Sequence, residues 1–290
     1  MNSRLALGTV QFGIPYGVAN RVGQVSRDEM VEILGHARAA GVDTLDTAID
    51  YGDCEVVLGE VGVDQWQVVT KLPEIPAECQ DVASWVQEAV TGSLERLAVS
   101  RLYGLLLHRP EQLLGSQGDA LYRALVESRN QGMVGKIGIS IYDPDELDAL
   151  SSRYQFDLVQ APCSILDRRL ISSGWLARLR HAGTEVHVRS VFLQGLLLMD
   201  AAHRPGKFDR WQSLWYAWHR WLDDQALTPL QACLGFVMSQ SDIDRIVVGV
   251  DSLEQLRGIL ASLGVATSMP PKGLMSDDQD LINPSHWACY

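Results

Sequence analysis

The chain has 290 residues, 47% of them apolar, enough for a large core and compatible with one barrel-type domain or two smaller ones. Its formal charge of −12 argues against nucleic acid and against anionic membrane surfaces as partners. No apolar run approaches the length of a membrane span, and Met1-Asn2-Ser3-Arg4-Leu5 enters a strand-like segment with no signal peptide, which predicts a cytoplasmic protein.

Strand-like segments and helix signals alternate along the chain, with no linker between them. The first expected strand is 5–11. Ser26-Arg27-Asp28-Glu29 then forms a capping box that opens a helix running toward Ala40, with Gly41 after its end. Strands follow at 44–48, 66–72, 102–108 and 134–141, several of them continuous apolar runs of the kind buried on both faces. Asp143-Pro144-Asp145-Glu146 combines an N-cap, a first-turn proline and a glutamate. Strands are expected again at 157–161 and 185–192. Trp211, Trp215, Trp218 and Trp221 then fall on one helical face, a spacing that suits packing and leaves part of the stripe free to wall a pocket. Thr228-Pro229-Leu230-Gln231, a last strand at 244–250, and Ser252-Leu253-Glu254-Gln255 complete the pattern. The tail 282–287 ends in an aromatic. The five cysteines, Cys54, Cys79, Cys163, Cys233 and Cys289, are scattered without a CxxC pair and suggest free thiols in a reducing compartment. Seven dispersed histidines without an H-x₃-H pair give no expectation of a metal.

Eight strands alternating with about eight helices predict an α/β fold, a (β/α)₈ TIM barrel, as one domain over 1–290. A doubly wound open sheet is the runner-up, weakened by the lack of G-x-G-x-x-G after the first strand. In a barrel, active sites lie at the C-terminal mouth. Asp46, Lys71 and His108 fall at or just past the ends of the second, third and fourth strands, and Tyr51 lies in the loop after the second. An ammonium beside a phenol favours the phenolate and makes the phenol a better proton donor. A carboxylate can hold that ammonium, and an imidazole can orient a carbonyl. The set suits protonation of a carbonyl oxygen while a hydride, usually from a nicotinamide, arrives at carbon. Lys71 as a Schiff-base nucleophile is a weaker reading of the same residues.

These residues carry a resemblance to the aldo-keto reductase superfamily. The matching segments are Leu7-Gly8-Thr9-Val10-Gln11-Phe12-Gly13, Asp46-Thr47-Ala48-Ile49-Asp50-Tyr51-Gly52-Asp53-Cys54-Glu55 with Leu58-Gly59, Lys71, Leu105-Leu106-Leu107-His108, Gly138-Ile139-Ser140, Val159-Gln160 and Ile246-Val247-Val248-Gly249. The resemblance spans the whole chain. It implies an NAD(P)H-dependent reductase of a small-molecule carbonyl substrate, with Tyr51 as proton donor, Lys71 as its activator, Asp46 as partner of Lys71, and His108 orienting the carbonyl. A nicotinamide-binding sensor with vestigial chemistry is the alternative on the same fold.

The resemblance also places Gly8, Thr9, Val10 and Gly195 at the cofactor, with Ser140 and Gln160 on the nicotinamide carboxamide. Arg189 stands where many members stack an aromatic under the nicotinamide. It can stack there, or reach a phosphate or an acidic substrate. Gly249, Asp251, Ser252 and Gln255 would hold the adenosine end, where the amides of a helix N-terminus favour anions. The cation that members specific for NADPH place there for the 2′-phosphate is missing, only Arg257 being basic, and Ile259 replaces an Asn. Both NADPH and NADH are candidates, with a lean toward NADH or dual use. The tail would fold over the mouth or simply pack. The oligomeric state is left open.

Overall fold

A computed structural model describes residues 4–287. The first half of the chain contains β1 (Leu5–Gly8), α1 (Val10–Gly13), α2 (Arg27–Ala39), β2 (Thr44–Asp46), α3 (Cys54–Val61), β3 (Gln67–Leu72), α4 (Val82–Leu97), β4 (Leu102–Leu107) and α5 (Gly118–Asn130). The second half contains β5 (Val134–Ser140), α6 (Glu146–Leu150), β6 (Leu158–Pro162), α7 (Arg169–Ser172), α8 (Trp175–His181), β7 (Glu185–Arg189), α9 (Gln212–Gln225), α10 (Pro229–Met238), β8 (Arg245–Gly249), α11 (Leu253–Ala261) and α12 (Gln279–Ile282). The eight strands are parallel and close in sequence order, β8 pairing back onto β1, which makes the (β/α)₈ barrel.

Helices form where a cap meets an apolar stripe. Ser26 Oγ accepts from the Glu29 amide, and Met30, Ile33, Leu34 and Ala37 bury one face of α2. Asp81 caps α4, which buries Val82, Val86, Val90 and Leu97. Thr228 and Gln231 form a complete capping box on α10. The box expected at Ser26 is only half made, because the Glu29 carboxylate leaves its own helix and accepts from the Leu253 amide at 2.6 Å.

Two expected strands overrun those formed by three residues, the largest differences of the eight. The segment 5–11 leaves the sheet after Gly8, where Thr9 turns its amide and hydroxyl onto the Asp46 carbonyl, both at 3.0 Å, and Val10–Gly13 coils into α1. The segment 185–192 stops at Arg189, since Ser190 takes φ +61° and breaks the extended run. Side chains alternate along a strand, so Val69, Leu106 and Leu158 share faces with Lys71, His108 and Gln160. They form a small apolar cluster distinct from the main core packed against the helices. At the N-terminal strand ends, Glu185 pairs with Lys136 and His187, and Arg245 with Asp43. Cys289, like residues 1–3, lies outside the described residues, and the other four cysteines are free.

Candidate active site

Register places the four chemistry-bearing residues at one end of the barrel. Asp46 is the last residue of β2 and pairs with Gly8 of β1 and Val69 of β3. Lys71, near the end of β3, pairs with Leu106 of β4, and His108 follows β4 directly. The loop carrying Tyr51 is fixed by two glycines that meet each other. A Cβ on Gly13 would lie 1.8 Å from the Tyr51 carbonyl oxygen, and Gly52 takes φ +59° with its Cβ position 2.6 Å from the Gly13 oxygen. Glu55 locks the next turn: it is buried and accepts from Thr70, Ser93 and Arg96. All four residues, Asp46, Tyr51, Lys71 and His108, line one cavity of about 550 Å³.

Lys71 and Asp46 form a buried ion pair at 2.7 Å, and the ammonium also donates to the Thr47 carbonyl at 2.9 Å. The second Asp46 oxygen accepts from Gln160 Nε2 at 2.6 Å, and Gln160 Oε1 in turn accepts from the Ser140 hydroxyl at 3.3 Å. Both carboxylate oxygens are therefore satisfied, as a buried charge requires. The ammonium sits 5.1 Å from the Tyr51 ring centroid, and Tyr51 meets His108 edge to face at 5.9 Å. Burial pushes the Lys71 ammonium below its ordinary pKa, against the pull of Asp46.

The phenol does not behave as its neighbours in sequence suggest. Burial, then Asp46 and Tyr16, pushes Tyr51 well above the ordinary phenol value, and the cation that opposes this is Arg189. Desolvation of the phenolate, with the nearby Asp46 carboxylate, outweighs the lowering expected from Lys71. His108 is held down to about 4 by burial first, then by Lys71 and Arg189, so it is a neutral imidazole at pH 7.

The cavity extends from these groups between the loops after β1, β7 and β8 to Leu230, Gly258 and Ile259. The β1 loop bridges the far side: Asn20 Nδ2 donates to Asp251 Oδ1 at 3.1 Å, and the Ala19 amide to the Gln194 carbonyl at 3.3 Å. A model of the Aldo/keto reductase family matches residues 4–269. The chain belongs to the aldo/keto reductase family. It is accordingly an NAD(P)H-dependent oxidoreductase. NADH-specific methylglyoxal reductase of Escherichia coli (strain K12) is 25% identical to it, over 95% of this chain and 94% of that protein. Among solved structures, the holo form of aldo-keto reductase AKR11C1 from Bacillus halodurans superposes with a TM-score of 0.74 at 19% identity, covering 100% of this chain and 94% of that one. Glycerol dehydrogenase AKR11B4 from Gluconobacter oxydans gives 0.69 at 20%, covering 92% and 88%.

The cavity of this aldo-keto reductase fits a dinucleotide on its own chemistry. Gln11 Oε1 and Gln194 Oε1 both line it, buried and without a hydrogen-bond partner among the described residues. A Cβ on Gly249 would strike the Gln11 amide at 2.5 Å, so that wall admits only glycine without a shift. Of the residues expected at the cofactor, Gly8, Thr9, Val10, Ser140, Gln160, Arg189, Gly195, Gly249, Asp251 and Gln255 all line the cavity.

Ser252 does not line it. Its hydroxyl accepts from the Gln255 amide at 3.2 Å as a plain N-cap. The open helix N-terminus expected there is also largely filled, since Leu253 N–H is taken by Glu29 and Asp251 N–H by the Gln255 side chain. None of the four tryptophans lines the cavity: Trp215 donates to the Phe208 carbonyl, and Trp218 stacks on Trp221 at 5.8 Å. No residue of the tail 282–287 lines the cavity: Ile282 and Trp287 are buried, and the segment just before them packs on the loops, Trp211 donating to Asp278 and Gln279 to Asp143 of the loop after β5 at 2.7 Å. Tyr16, Asn20, Tyr142 and Gln194 line the cavity without having been signalled by the sequence, because they sit in loops whose approach depends on the closed barrel.

Proposed function

We propose that this aldo-keto reductase reduces a small aldehyde or ketone to an alcohol, with Tyr51 giving the proton to the carbonyl oxygen and His108 orienting it. The observation that carries this reading is the meeting of Tyr51, His108 and the buried Lys71–Asp46 pair at one end of a cavity that continues between the β1, β7 and β8 loops. A nicotinamide held in this cavity would supply hydride to the carbonyl carbon. Tyr51 is held protonated at neutral pH, which is the form a donor needs. His108, neutral, offers one N–H and one acceptor nitrogen. Its N–H fixes the carbonyl oxygen within reach of the phenol. Lys71 supplies positive charge below the phenol as negative charge develops there. Asp46 keeps Lys71 in place, and Gln160 keeps Asp46 in place. The remaining amide hydrogen of Gln160 and the Ser140 oxygen suit a nicotinamide carboxamide.

NADH is the better fit of the two coenzymes. Asp251 presents a carboxylate to the adenosine end of the cavity, and burial raises its pKa only against hydrogen bonds from its neighbours. A carboxylate accepts from ribose hydroxyls and repels a 2′-phosphate. The Escherichia coli relative is named as NADH-specific, which agrees. The test is to titrate NADH and NADPH against tryptophan fluorescence and then follow coenzyme oxidation with a panel of aldehydes. NADH should bind at least as tightly as NADPH, at least one aldehyde should be reduced, and Asp251→Ser should improve NADPH relative to NADH. NADPH binding about a hundredfold more tightly, some 2.7 kcal/mol, would reverse the coenzyme assignment. A chain that binds coenzyme and reduces no carbonyl would contradict the reaction.

A further inference from the structure

The strands carry four cations. Lys71 meets Asp46, Lys136 meets Glu185, and Arg245 meets Asp43. Arg189, the last residue of β7, is the fourth and meets no carboxylate among the described residues. Its guanidinium is half-buried in the wall of the cavity that holds Tyr51 and His108. Neutral groups hold it there: the Ile141 carbonyl accepts from Nη2 at 2.9 Å, the Ser190 hydroxyl from Nη1 at 3.3 Å, and the Tyr142 ring lies 4.5 Å from the guanidinium carbon. A partly desolvated cation that is positioned but not neutralised is a site for an anion. Two further groups frame it. Arg109, directly after His108 and exposed, has its guanidinium carbon 5.9 Å from the same Tyr142 ring. The Tyr16 hydroxyl lines the cavity and accepts from Gln194 Nε2 at 3.0 Å, which leaves its own proton to donate. In a chain of net charge −12, such a local arrangement is what allows an anion to enter.

We infer that the carbonyl substrate carries a carboxylate, and that Arg189 binds it while the carbonyl faces Tyr51 and His108. The planar guanidinium fork matches a carboxylate. The inference rests on the reductase reading above, and its test separates the two. In turnover, 4-oxobutanoate is compared with pentanal, a neutral aldehyde of similar length. The wild-type kcat/KM should favour the acid by about tenfold or more, the scale of a hydrogen bond to a charged group. Arg189→Met should bring the ratio down to about one, chiefly through KM. Arg189→Lys should keep part of the preference, and its coenzyme affinity confirms that the fold is intact. In a binding arm independent of turnover, succinate is titrated into the enzyme with NADH bound. Its affinity should fall about tenfold or more in Arg189→Met. Equal use of the two aldehydes by the wild type, or a succinate affinity unmoved by Arg189→Met, would overturn the carboxylate subsite. So would an Arg189→Met variant that loses coenzyme affinity while keeping its preference for the acid. Succinate binding that depends on Arg189, in an enzyme that turns over neither aldehyde, would uphold the subsite and count against the reductase reading alone.

Discussion

His108 carries no proton charge at neutral pH, because burial and two nearby cations, Lys71 and Arg189, hold its pKa to about 4. The sign of the pH dependence follows. The folded pKa lies below the ordinary imidazole value of about 6.5, so the unfolded chain binds more protons between the two. The contribution to stability is therefore complete above the unfolded value and is lost as pH falls toward 4. For activity, carbonyl reduction should show no acid limb near pH 6.5, and kcat/KM should stay level down to about pH 5. A profile of kcat/KM against pH checks this, and a limb at the ordinary histidine pKa would contradict it. The residue types at this site were legible in the sequence, since Asp46, Lys71 and His108 stand at successive strand ends. Their partnerships were not. Gln160 reaches Asp46 across 114 positions of sequence, and the lack of an acid beside Arg189 is a property of the cavity, which no local pattern encodes. The direction of the Tyr51 shift was missed for the same reason: burial of the phenol, its first cause, depends on the closed cavity.

Elements were legible where capping and periodicity agreed. Ser26, Thr228 and Ser252 each open a helix as their sequence predicts, and each accepts an amide three residues on. The function of a cap was harder to read, because a helix N-terminus near a cofactor loop looks the same whether or not its amides are already used. Glu29 fills the start of α11 from another helix 224 residues away. The consequence is measurable at Ser252. Ser252→Ala should lower unfolding free energy by about 0.5–2 kcal/mol, the usual cost of losing a cap, and leave coenzyme affinity unchanged. Denaturant unfolding and a fluorescence titration on the same sample check both halves. A selective loss of coenzyme affinity would put Ser252 back in the cavity wall. The tryptophan stripe teaches a similar lesson: its helical spacing was plain, and the spacing serves packing, Trp218 on Trp221 and Trp215 on the Phe208 carbonyl, with none of the four lining the cavity.

For the whole molecule, strand order and parallel closure followed from the alternation of strand and helix, and closure is what brings distant loops together over one cavity. The ends of β1 and β7 were overestimated because apolar residues continue past the last paired residue, where Thr9 and Ser190 turn the chain away. Both turns line the cavity. The proposed protonation of a carbonyl by the groups at its mouth is tested by Tyr51→Phe, which removes one hydroxyl and keeps the ring that packs on His108. Coenzyme affinity should be retained while the rate of carbonyl reduction, measured in a single turnover with coenzyme prebound, falls by about 10²–10⁴-fold, the worth of a positioned acid. A Tyr51→Phe enzyme that reduces its aldehyde at the wild-type rate would contradict the account.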